Sequence, residues 1–338
     1  MAAHHPTATL AGYALLFSAL TSANGHAQQG TEASPPVEKE TKRLGMHTPG
    51  VSRLMTDLTP EAVFPVEGSP DWSVVTKDSV WVTSSRANHI VQLLGTTNKI
   101  GFIFDEPRPC SGLVEAYGSI WSPSCGLHSI ERIESSTGKG VASIAADPAN
   151  SEGGITAGDG SVWVVIKPAT LVRISPATNA ITARFALPSE SANPLFADGF
   201  VWVSSFGHDA LLKVDPASGR VISTIAVGPK PRFLTAGEGS IWTLNQGDGS
   251  ISRVEEQTGK VTRINAGVPG AGGEITFGNG FVWVTMFDFP ITQISSASNS
   301  VVHQWGGAGG DGIRFGLGSI WLSNGQLQTV WRISPDQQ

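Results

Sequence analysis

Residues 154–165 read GITAGDGSVWVV, and closely similar stretches begin at Asn193, Phe233 and Glu274. In each stretch a short apolar segment leads to a two-residue turn (Asp-Gly, Glu-Gly or Asn-Gly) and then to a β-branched residue followed by Trp. Such dipeptides favour tight hairpins because both residues tolerate positive φ. The apolar residues on both sides of the turn indicate two antiparallel strands, here called strand A before the turn and strand B after it.

The tryptophan of this motif recurs along the whole chain, at intervals of 40, 42, 39, 40, 41 and 38 residues. The seven positions are Trp81, Trp121, Trp163, Trp202, Trp242, Trp283 and Trp321. A period of about 40 residues in an all-β pattern is typical of β-propellers, in which each repeat is one blade. The sequence therefore predicts an all-β, seven-bladed β-propeller with one buried tryptophan in each blade.

Each repeat is predicted to contain four short antiparallel strands, A to D. In the third repeat, strand C includes Leu171–Ile174 and strand D runs from Ala180 to Leu187. The seventh repeat has no residues left for a strand D, whereas residues 61–66 resemble the strand D segment 224–228. We expect this N-terminal strand to complete the last blade and so to cover an open sheet edge. Strand C also carries a recurrent cation, expected to be structural, at Arg132, Arg173, Lys213, Arg253 and Arg332.

The N-terminus resembles a secretory signal. Leu10–Leu20 is an apolar run too short to span a bilayer comfortably. Gly25 and Ala27 then place small residues at the positions that signal peptidase prefers, so cleavage is expected after Ala27 and the mature protein is expected to be periplasmic or secreted. The predicted domains are a signal peptide (1–27), a flexible polar leader (28–56) and the propeller (57–338).

Composition limits the partners of the mature chain. Hydrophobic residues make up 40% and charged residues 15%, which is enough apolar content for a large core, and Gly (40) and Pro (21) suit many tight turns. The net charge of −6, without a Lys/Arg run in the repeats, argues against nucleic-acid binding. No further apolar run is long enough for a membrane helix. We expect a monomer whose partner is a small molecule or a peptide.

The two cysteines of the chain, Cys110 and Cys125, are predicted to be bonded to each other. If the second blade turns at Tyr117-Gly118, residues whose numbers add up to 235 face each other across strands A and B, and this pair does so. Facing residues lie within disulfide range. The expected export favours a disulfide, and a redox-active or metal-binding pair is the alternative.

One end of the propeller is expected to carry the binding surface. The A–B turns at the opposite end are short and stereotyped, whereas the D–A connections and B–C turns vary between repeats, and such variation marks a binding face. Mixed charges and aromatic residues there suit a small polar or amphipathic ligand, and an ordinary solvated rim is the alternative. The candidate ligand-binding residues are Trp72, Arg86, Arg108, Glu152, Lys167, Phe206, Asn245, Phe287 and Asn324.

Chemistry at this face would depend on a second group of side chains. The candidate catalytic residues are Glu274, Asp311, Arg232, His128 and His208. Glu274 or Asp311 would serve as the base and Arg232 would stabilise an anion. A metal site would require the B–C turn histidines to converge with these acids, and the sequence leaves the metal ligands unknown.

The repeated GxIT…GxGxVWVT…IxRI pattern over residues 61–338 resembles the virginiamycin B lyase family of seven-bladed propellers. The resemblance implies opening of a cyclic depsipeptide ester by elimination, with Mg²⁺ and a histidine base. This chain departs from the family pattern: Gly273 stands where the family has that His, Met286 stands where it has Glu, and Asp311 occupies a His position in the seventh repeat. The family's proton abstraction and metal binding therefore lack matching residues.

Three functions remain open. The leading hypothesis is a binding protein, whose pocket would be lined by Trp72, Phe206 and Phe287. An enzyme of the lyase or hydrolase type would instead bring the acids, Arg232 and a histidine together at a pocket. An envelope protein-interaction module would present a flat face with an exposed apolar patch. The sequence requires no cofactor, and Mg²⁺ enters only through the family resemblance.

Overall fold

The computed structural model describes residues 45–149, 153–268, 270 and 272–336. In this part of the chain, seven four-stranded antiparallel sheets are arranged as the blades of a β-propeller, as predicted. Strand A of each blade contacts strand A of the next, and that of blade seven contacts that of blade one, so the inner strands form a closed ring. The helical structure among the described residues is a short 3-10 turn, and no helix is long and apolar enough to cross a membrane.

The four strands of each blade pair in sequence order, A to D. Blades one to three consist of β3 (Pro70–Val75), β4 (Ser79–Ser84), β5 (His89–Leu94) and β6 (Lys99–Asp105); β7 (Val114–Ala116), β8 (Ser119–Ser124), β9 (Ser129–Glu134) and β10 (Gly140–Ala145); and β11 (Ile155–Gly158), β12 (Ser161–Ile166), β13 (Thr170–Ser175) and β14 (Ala180–Ala186). Blades four and five consist of β15 (Ser191–Ala197), β16 (Phe200–Ser205), β17 (Ala210–Val214) and β18 (Val221–Ala226); and β19 (Pro231–Gly237), β20 (Ser240–Asn245), β21 (Ser250–Glu255) and β22 (Val261–Asn265). Blades six and seven consist of β23 (Ile275–Gly278), β24 (Phe281–Met286), β25 (Phe289–Ser295) and β26 (Ser300–Gly306); and β27 (Ile313–Gly316), β28 (Ser319–Asn324), β29 (Thr329–Ile333) and the N-terminal β2 (Ala62–Pro65).

The N-terminal strand completes blade seven as predicted. β2 runs antiparallel to β29, with Phe64 opposite Val330. Phe64 is buried, and its ring centroid lies 5.7 Å from that of Trp321. The two ends of the propeller are thereby joined within a single sheet.

The last residues of the predicted leader have defined structure, in contrast to the expected flexible segment. β1 (Ser52–Leu54) pairs in parallel with β26 as a fifth strand of blade six, and the 3-10 turn Met55–Asp57 follows. Upstream, the N–H of Met46 donates to Oε1 of Gln304 at 2.7 Å. Backbone hydrogen bonds to the open edge of β26 explain the difference, because polar residues suit such an edge as well as a linker. The signal peptide and residues 28–44 lie outside the described residues.

All seven blade tryptophans are buried in the core, as predicted. In blades two, three, five, six and seven the indole Nε1 donates to the carbonyl oxygen five residues earlier, at the end of strand A, over 3.1–3.2 Å. In four blades that residue is a glycine. A Cβ at Gly158 would clash with the ring of Phe196 from the next blade, and Gly278 has the same relation to Phe315. The motif's glycine therefore lets the inner strands pack closely.

The strand C cations form hydrogen bonds with the neighbouring blade. Such contacts confirm the predicted structural role of Arg132, Arg253 and Arg332. Arg132 lies 4.8 Å from the ring centroid of Trp121, and its Nη1 donates to the carbonyl oxygen of Pro176 and to Oδ1 of Asn179 in the next blade. Arg253 and Arg332 make equivalent contacts with the C–D turns of blades six and one.

Cys110 and Cys125 form the predicted disulfide, with Cα atoms 5.7 Å apart. The register differs from the prediction, however. Strand A of blade two pairs as expected at Val114 opposite Trp121, but nearer the disulfide Pro109 pairs with Ser124, two residues out of that register. The irregular segment between these two pairings shifts the strand register by two residues. The two cysteines are therefore diagonal neighbours on the paired strands and do not face each other directly.

Candidate functional site

Residues nine positions before each blade tryptophan surround the mouth of the channel. This set, here called the mouth ring, is Trp72, Gly112, Gly154, Asn193, Phe233, Glu274 and Gly312. Two residues further along, in phase on the same face of the chain, lies a second ring of Val74, Val114, Thr156, Leu195, Thr235, Thr276 and Arg314. Six members of each ring line one cavity of about 250 Å³. The inner strands therefore place this cavity on the propeller axis.

Two aromatic side chains span the mouth. Trp72 comes from blade one and Phe233 from blade five, and their ring centroids are 5.1 Å apart with the planes inclined by 56°. These blades are not neighbours, so the contact crosses the channel. Both rings line the cavity of about 250 Å³ and also a second one of about 60 Å³. The aromatic pair is thus a wall that the two cavities share.

A buried ion pair connects Glu274 of the mouth ring, in blade six, with Arg314 of the second ring, in blade seven. Nη1 and Nη2 of Arg314 each donate to one carboxylate oxygen of Glu274 at 2.8 Å, and the N–H of Ile313 donates to Oε2 at 3.0 Å. The Glu274 side chain is 2% exposed and that of Arg314 is 25% exposed. A bidentate pair of this kind fixes both side chains in the wall and leaves no net charge there.

The opposite part of the mouth ring combines small residues with one amide. Asn193 is 4% exposed, and within the described residues its Nδ2 has no hydrogen-bond partner. A Cβ placed on Gly154 would lie 3.1 Å from Oδ1 of Asn193, whereas one placed on Gly112 would meet only Gly154, at 3.8 Å. The two glycines therefore leave open space beside the amide, in the cavity that all three residues line.

The cavity of about 60 Å³ brings Asp311 and Phe287 to the aromatic wall, together with Glu274. Burial raises the pKa of the Asp311 carboxyl above its usual range, although the N–H of Gly325 donates to Oδ2 at 2.7 Å and opposes this shift. The Thr285 hydroxyl accepts from the N–H of Glu274 and donates to the carbonyl oxygen of Asp311. Thr285 thus connects the backbones of these two acidic residues, which both line this cavity.

Arg108 reaches the same region from another side. It is exposed, adopts a positive φ of 48°, and its N–H donates to Oδ1 of Asn88 at 2.9 Å. With Trp72 and Cys110 it lines a third cavity, of about 200 Å³. Trp72, Phe287 and Arg108 are thus the proposed ligand-binding residues that line the cavities at the mouth.

His128 and Lys167 form a separate polar group on the outer part of this face. Nδ1 of His128 lies 3.1 Å from Oδ1 of Asp147, and Nζ of Lys167 lies 3.6 Å from the same oxygen. The hydrogen bond from His128 is the main cause of a pKa of Asp147 below its ordinary value, and Lys167 adds to it. Neither His128 nor Lys167 lines a cavity at the mouth that the described residues enclose.

Arg232 stacks on the ring of Phe206. Its guanidinium carbon lies 4.8 Å from the Phe206 ring centroid. His208 is exposed, with Nδ1 3.0 Å from Oγ of Ser205. Phe206, Arg232 and His208 do not line the cavities of about 250 and 60 Å³ that the described residues enclose.

The remaining candidates have other positions. Asn245 is buried, and its Nδ2 donates to Oγ of Ser250 and of Ser252 within blade five. Asn324 is buried and accepts from the N–H of Leu327 across the B–C turn of blade seven. Arg86 is exposed. Glu152 lies outside the described residues.

Phe233, Asn193 and Arg314 are the cavity residues missing from the sequence-based site. The signal was available, because Phe233 and Asn193 stand at the same offset from a blade tryptophan as Trp72 and Glu274. Arg232, one position away, does not line this cavity. The spacing identifies a ring position more reliably than residue type does.

The acids at the mouth do not fit a Mg²⁺ site. Both oxygens of Glu274 accept hydrogen bonds from Arg314, so the positive partner of this carboxylate is a guanidinium. Within the described residues, no group of three or more His, Cys, Asp or Glu side chains is arranged to hold a metal. The convergence that an enzyme of the lyase type requires is thus limited to Glu274 and Asp311.

No protein-family model and no curated protein matches the chain. Solved structures do resemble it. A streptogramin B lyase is 21% identical with a TM-score of 0.68, covering 80% of this chain and 94% of that one. A catalytically inactive virginiamycin B lyase from Staphylococcus aureus, in a structure with quinupristin, is 20% identical with a TM-score of 0.70, covering 82% and 98%.

A third similar structure is the hydrazine synthase of Kuenenia stuttgartiensis, at 10% identity and a TM-score of 0.67, covering 81% of this chain and 97% of that one. At these identities the likeness establishes the seven-bladed fold that the lyases share with this chain. Proteins of different activities share it, so function must be argued from the site.

Proposed function

We propose that the protein is a binding protein that holds a small molecule in the cavity at the mouth of its channel. The observation that carries this proposal is the composition of the mouth ring. Four of its seven members have side chains that meet at one cavity of about 250 Å³, namely Trp72, Asn193, Phe233 and Glu274, and the other three are glycines. Concave sites that combine apolar and aromatic side chains with a few fixed polar groups are typical of small-molecule binding.

The geometry supports binding more than catalysis. A general base needs a carboxylate oxygen that can reach a substrate proton, but both Glu274 oxygens accept from Arg314. One carboxylate oxygen of Asp311 accepts a hydrogen bond from the N–H of Gly325. The described lining of the cavity of about 60 Å³ contains neither a histidine nor Arg232. Of these two acids, Asp311 is therefore the better placed to serve a lyase or hydrolase as a base.

The cavity can be filled without disturbing its walls. Gly112 has space for a Cβ, and its φ lies outside the positive region. We expect Gly112→Val to abolish retention of any small molecule that copurifies with the mature wild-type protein or is captured from a metabolite extract, as measured by mass spectrometry. The matched control is Gly140→Val on the outer strand of the same blade, which should retain the molecule.

Two results would contradict the proposal. One is a wild-type protein that retains nothing beyond what Gly112→Val retains. The other is equal retention by both variants and the wild type, which would place the ligand elsewhere. Thermal unfolding of both variants shows whether they fold.

We further propose that the mature protein is exported to the periplasm or secreted. The disulfide Cys110–Cys125 supports this, since such bonds persist mainly in oxidising compartments. N-terminal sequencing of the exported protein tests it directly. Cleavage after Ala27, leaving Gln28 as the first residue, is the expected result, and an uncleaved intracellular chain would contradict it.

A further inference from the structure

The charges that line the cavity are already matched. In the described lining, Glu274 and Arg314 are the ionisable side chains, and they are paired through two hydrogen bonds of 2.8 Å. A charged ligand would be desolvated on entry without finding an unpaired counter-ion in this wall. Burying an uncompensated charge is strongly unfavourable. The wall therefore selects against ions.

Two of the three threonine hydroxyl groups of the second ring accept hydrogen bonds from the next blade. Oγ1 of Thr156 accepts from the N–H of Phe196 at 2.9 Å, and Oγ1 of Thr276 accepts from the N–H of Phe315 at 3.3 Å. Both bonds connect adjacent blades. These two oxygens therefore already accept hydrogen bonds that hold the inner strands of adjacent blades together.

Asn193 differs from these groups. Its Nδ2 is a donor without a partner in the described part of the chain, although the residue is 4% exposed and lines the cavity. Leaving a buried donor unsatisfied costs about 1–3 kcal/mol. A ligand that brings a hydrogen-bond acceptor to this atom recovers that energy.

The rest of the lining favours a ring. Trp72 and Phe233 present aromatic surface, and Leu195 and Ile275 add aliphatic surface. Aromatic rings pack favourably against one another in tilted or offset arrangements. The volume of about 250 Å³ is below the range of about 300–1,000 Å³ that is usual for drug-sized ligands. A single-ring compound fits it, and an intact cyclic peptide does not.

We propose that the cavity binds a neutral, single-ring molecule that presents one hydrogen-bond acceptor, such as a carbonyl oxygen, to Nδ2 of Asn193. This inference rests on the proposed binding function and specifies its ligand class. Asn193 is the residue that reads the acceptor, and the Glu274–Arg314 pair excludes charged analogues.

Four probes of similar size separate these features: acetophenone, ethylbenzene, benzoate and benzylamine. Their binding to the mature protein is measured by ligand-observed NMR titration, with Gly112→Val as the blocked site. We expect acetophenone to bind at least tenfold more tightly than benzoate or benzylamine at pH 7. Asn193→Ala should weaken acetophenone binding about tenfold and leave ethylbenzene binding unchanged, because acetophenone has a carbonyl acceptor and ethylbenzene has none. Asn193→Asp keeps the volume without the donor and should lose acetophenone affinity to the same degree.

Several outcomes would overturn the inference. Benzoate or benzylamine binding as tightly as acetophenone, and losing affinity in Gly112→Val, would refute the neutral class while leaving the site intact. An unchanged acetophenone affinity in both Asn193 variants would refute the role of the amide. If none of the probes binds, the single-ring class is wrong, and the metabolite retention experiment separately decides whether the cavity binds small molecules at all.

Discussion

Glu106 is a carboxyl group buried in blade two with incomplete hydrogen bonding. Ser122 on β8 donates to its Oε1 at 2.8 Å, while Oε2 has no partner among the described residues. Glu131 on the neighbouring strand β9 also repels a negative charge on Glu106. Burial, more than this repulsion, raises the pKa of Glu106 to about 8. The folded protein therefore keeps a proton on Glu106 at neutral pH.

This proton makes stability depend on pH. Between pH of about 4.5 and 8 the folded chain holds the proton and the unfolded chain releases it, so the free energy of unfolding should fall as pH rises, by up to about 1.4 kcal/mol per pH unit. Glu106→Gln should remove this slope and be more stable than wild type at pH 8, as measured by denaturant unfolding from pH 4 to 9. Glu115→Gln, at an exposed position of the same blade, is the control. Identical pH profiles for wild type and Glu106→Gln would contradict the prediction.

The two partners of the Glu274–Arg314 pair differ in exposure, and the consequences of removing them should differ too. Arg314→Met removes two hydrogen bonds from a carboxylate that is 2% exposed, whereas Glu274→Gln leaves a guanidinium that is 25% exposed and can be partly hydrated. We expect Arg314→Met to cost about 3–5 kcal/mol and Glu274→Gln to cost less. The double variant Glu274→Leu/Arg314→Met should recover most of the loss in urea unfolding, and additive losses would show that the pair is not coupled.

At the scale of the strands, the D–A connection of blade two is held by a covalent bond. The disulfide closes a segment in which Cys110 and Cys125 are 15 residues apart, and the same connection lines the cavity of about 200 Å³ beside Trp72. The bond therefore restrains one wall of the mouth as well as the sheet.

Removing this bond should lower stability without changing the fold. The chain-entropy model gives about 3 kcal/mol for a loop of this length. Cys110→Ser/Cys125→Ser should lose about that amount, and dithiothreitol should lower the stability of wild type but not of the variant. A variant as stable as the oxidised wild type would contradict this expectation.

The strands show where sequence reasoning succeeds and where it stops. The tryptophan spacing and the A–B turns predict strand positions because hairpin geometry is local, and Asp159 and Gly160 adopt the expected positive φ of 50° and 66°. The register shift at Pro109 lies in an irregular segment that also forms a parallel bridge from Ser111 to Gly153. No local sequence pattern encodes these two features. The pairing of β1 with β26 likewise joins distant residues. Strand phase, which places Phe233 rather than the adjacent Arg232 in the cavity lining, is the pattern that identifies the mouth ring.

For the whole molecule, the circle of inner strands depends on contacts between the chain's two ends. β2 supplies the outer strand of blade seven, and the guanidinium Nη1 of Arg332 in the same blade donates to the carbonyl oxygen of Gly95 in blade one. Blade seven is therefore fastened both within its own sheet and to the next blade. Without β2, the edge of β29 would offer unpaired backbone groups to other chains.

The side chain that fixes this closure is Phe64. It is 2% exposed and packs on Trp321, whereas its neighbour Val63 is 52% exposed on the other face of β2. We expect Phe64→Ala to lower the free energy of unfolding by about 3–5 kcal/mol through the lost burial and the cavity left behind. Val63→Ala, in the same strand, should cost less than about 1 kcal/mol. Denaturant unfolding measures both, and light scattering should show earlier association of the Phe64→Ala variant as β2 detaches. Equal effects of the two substitutions would mean that blade seven holds together without its N-terminal strand.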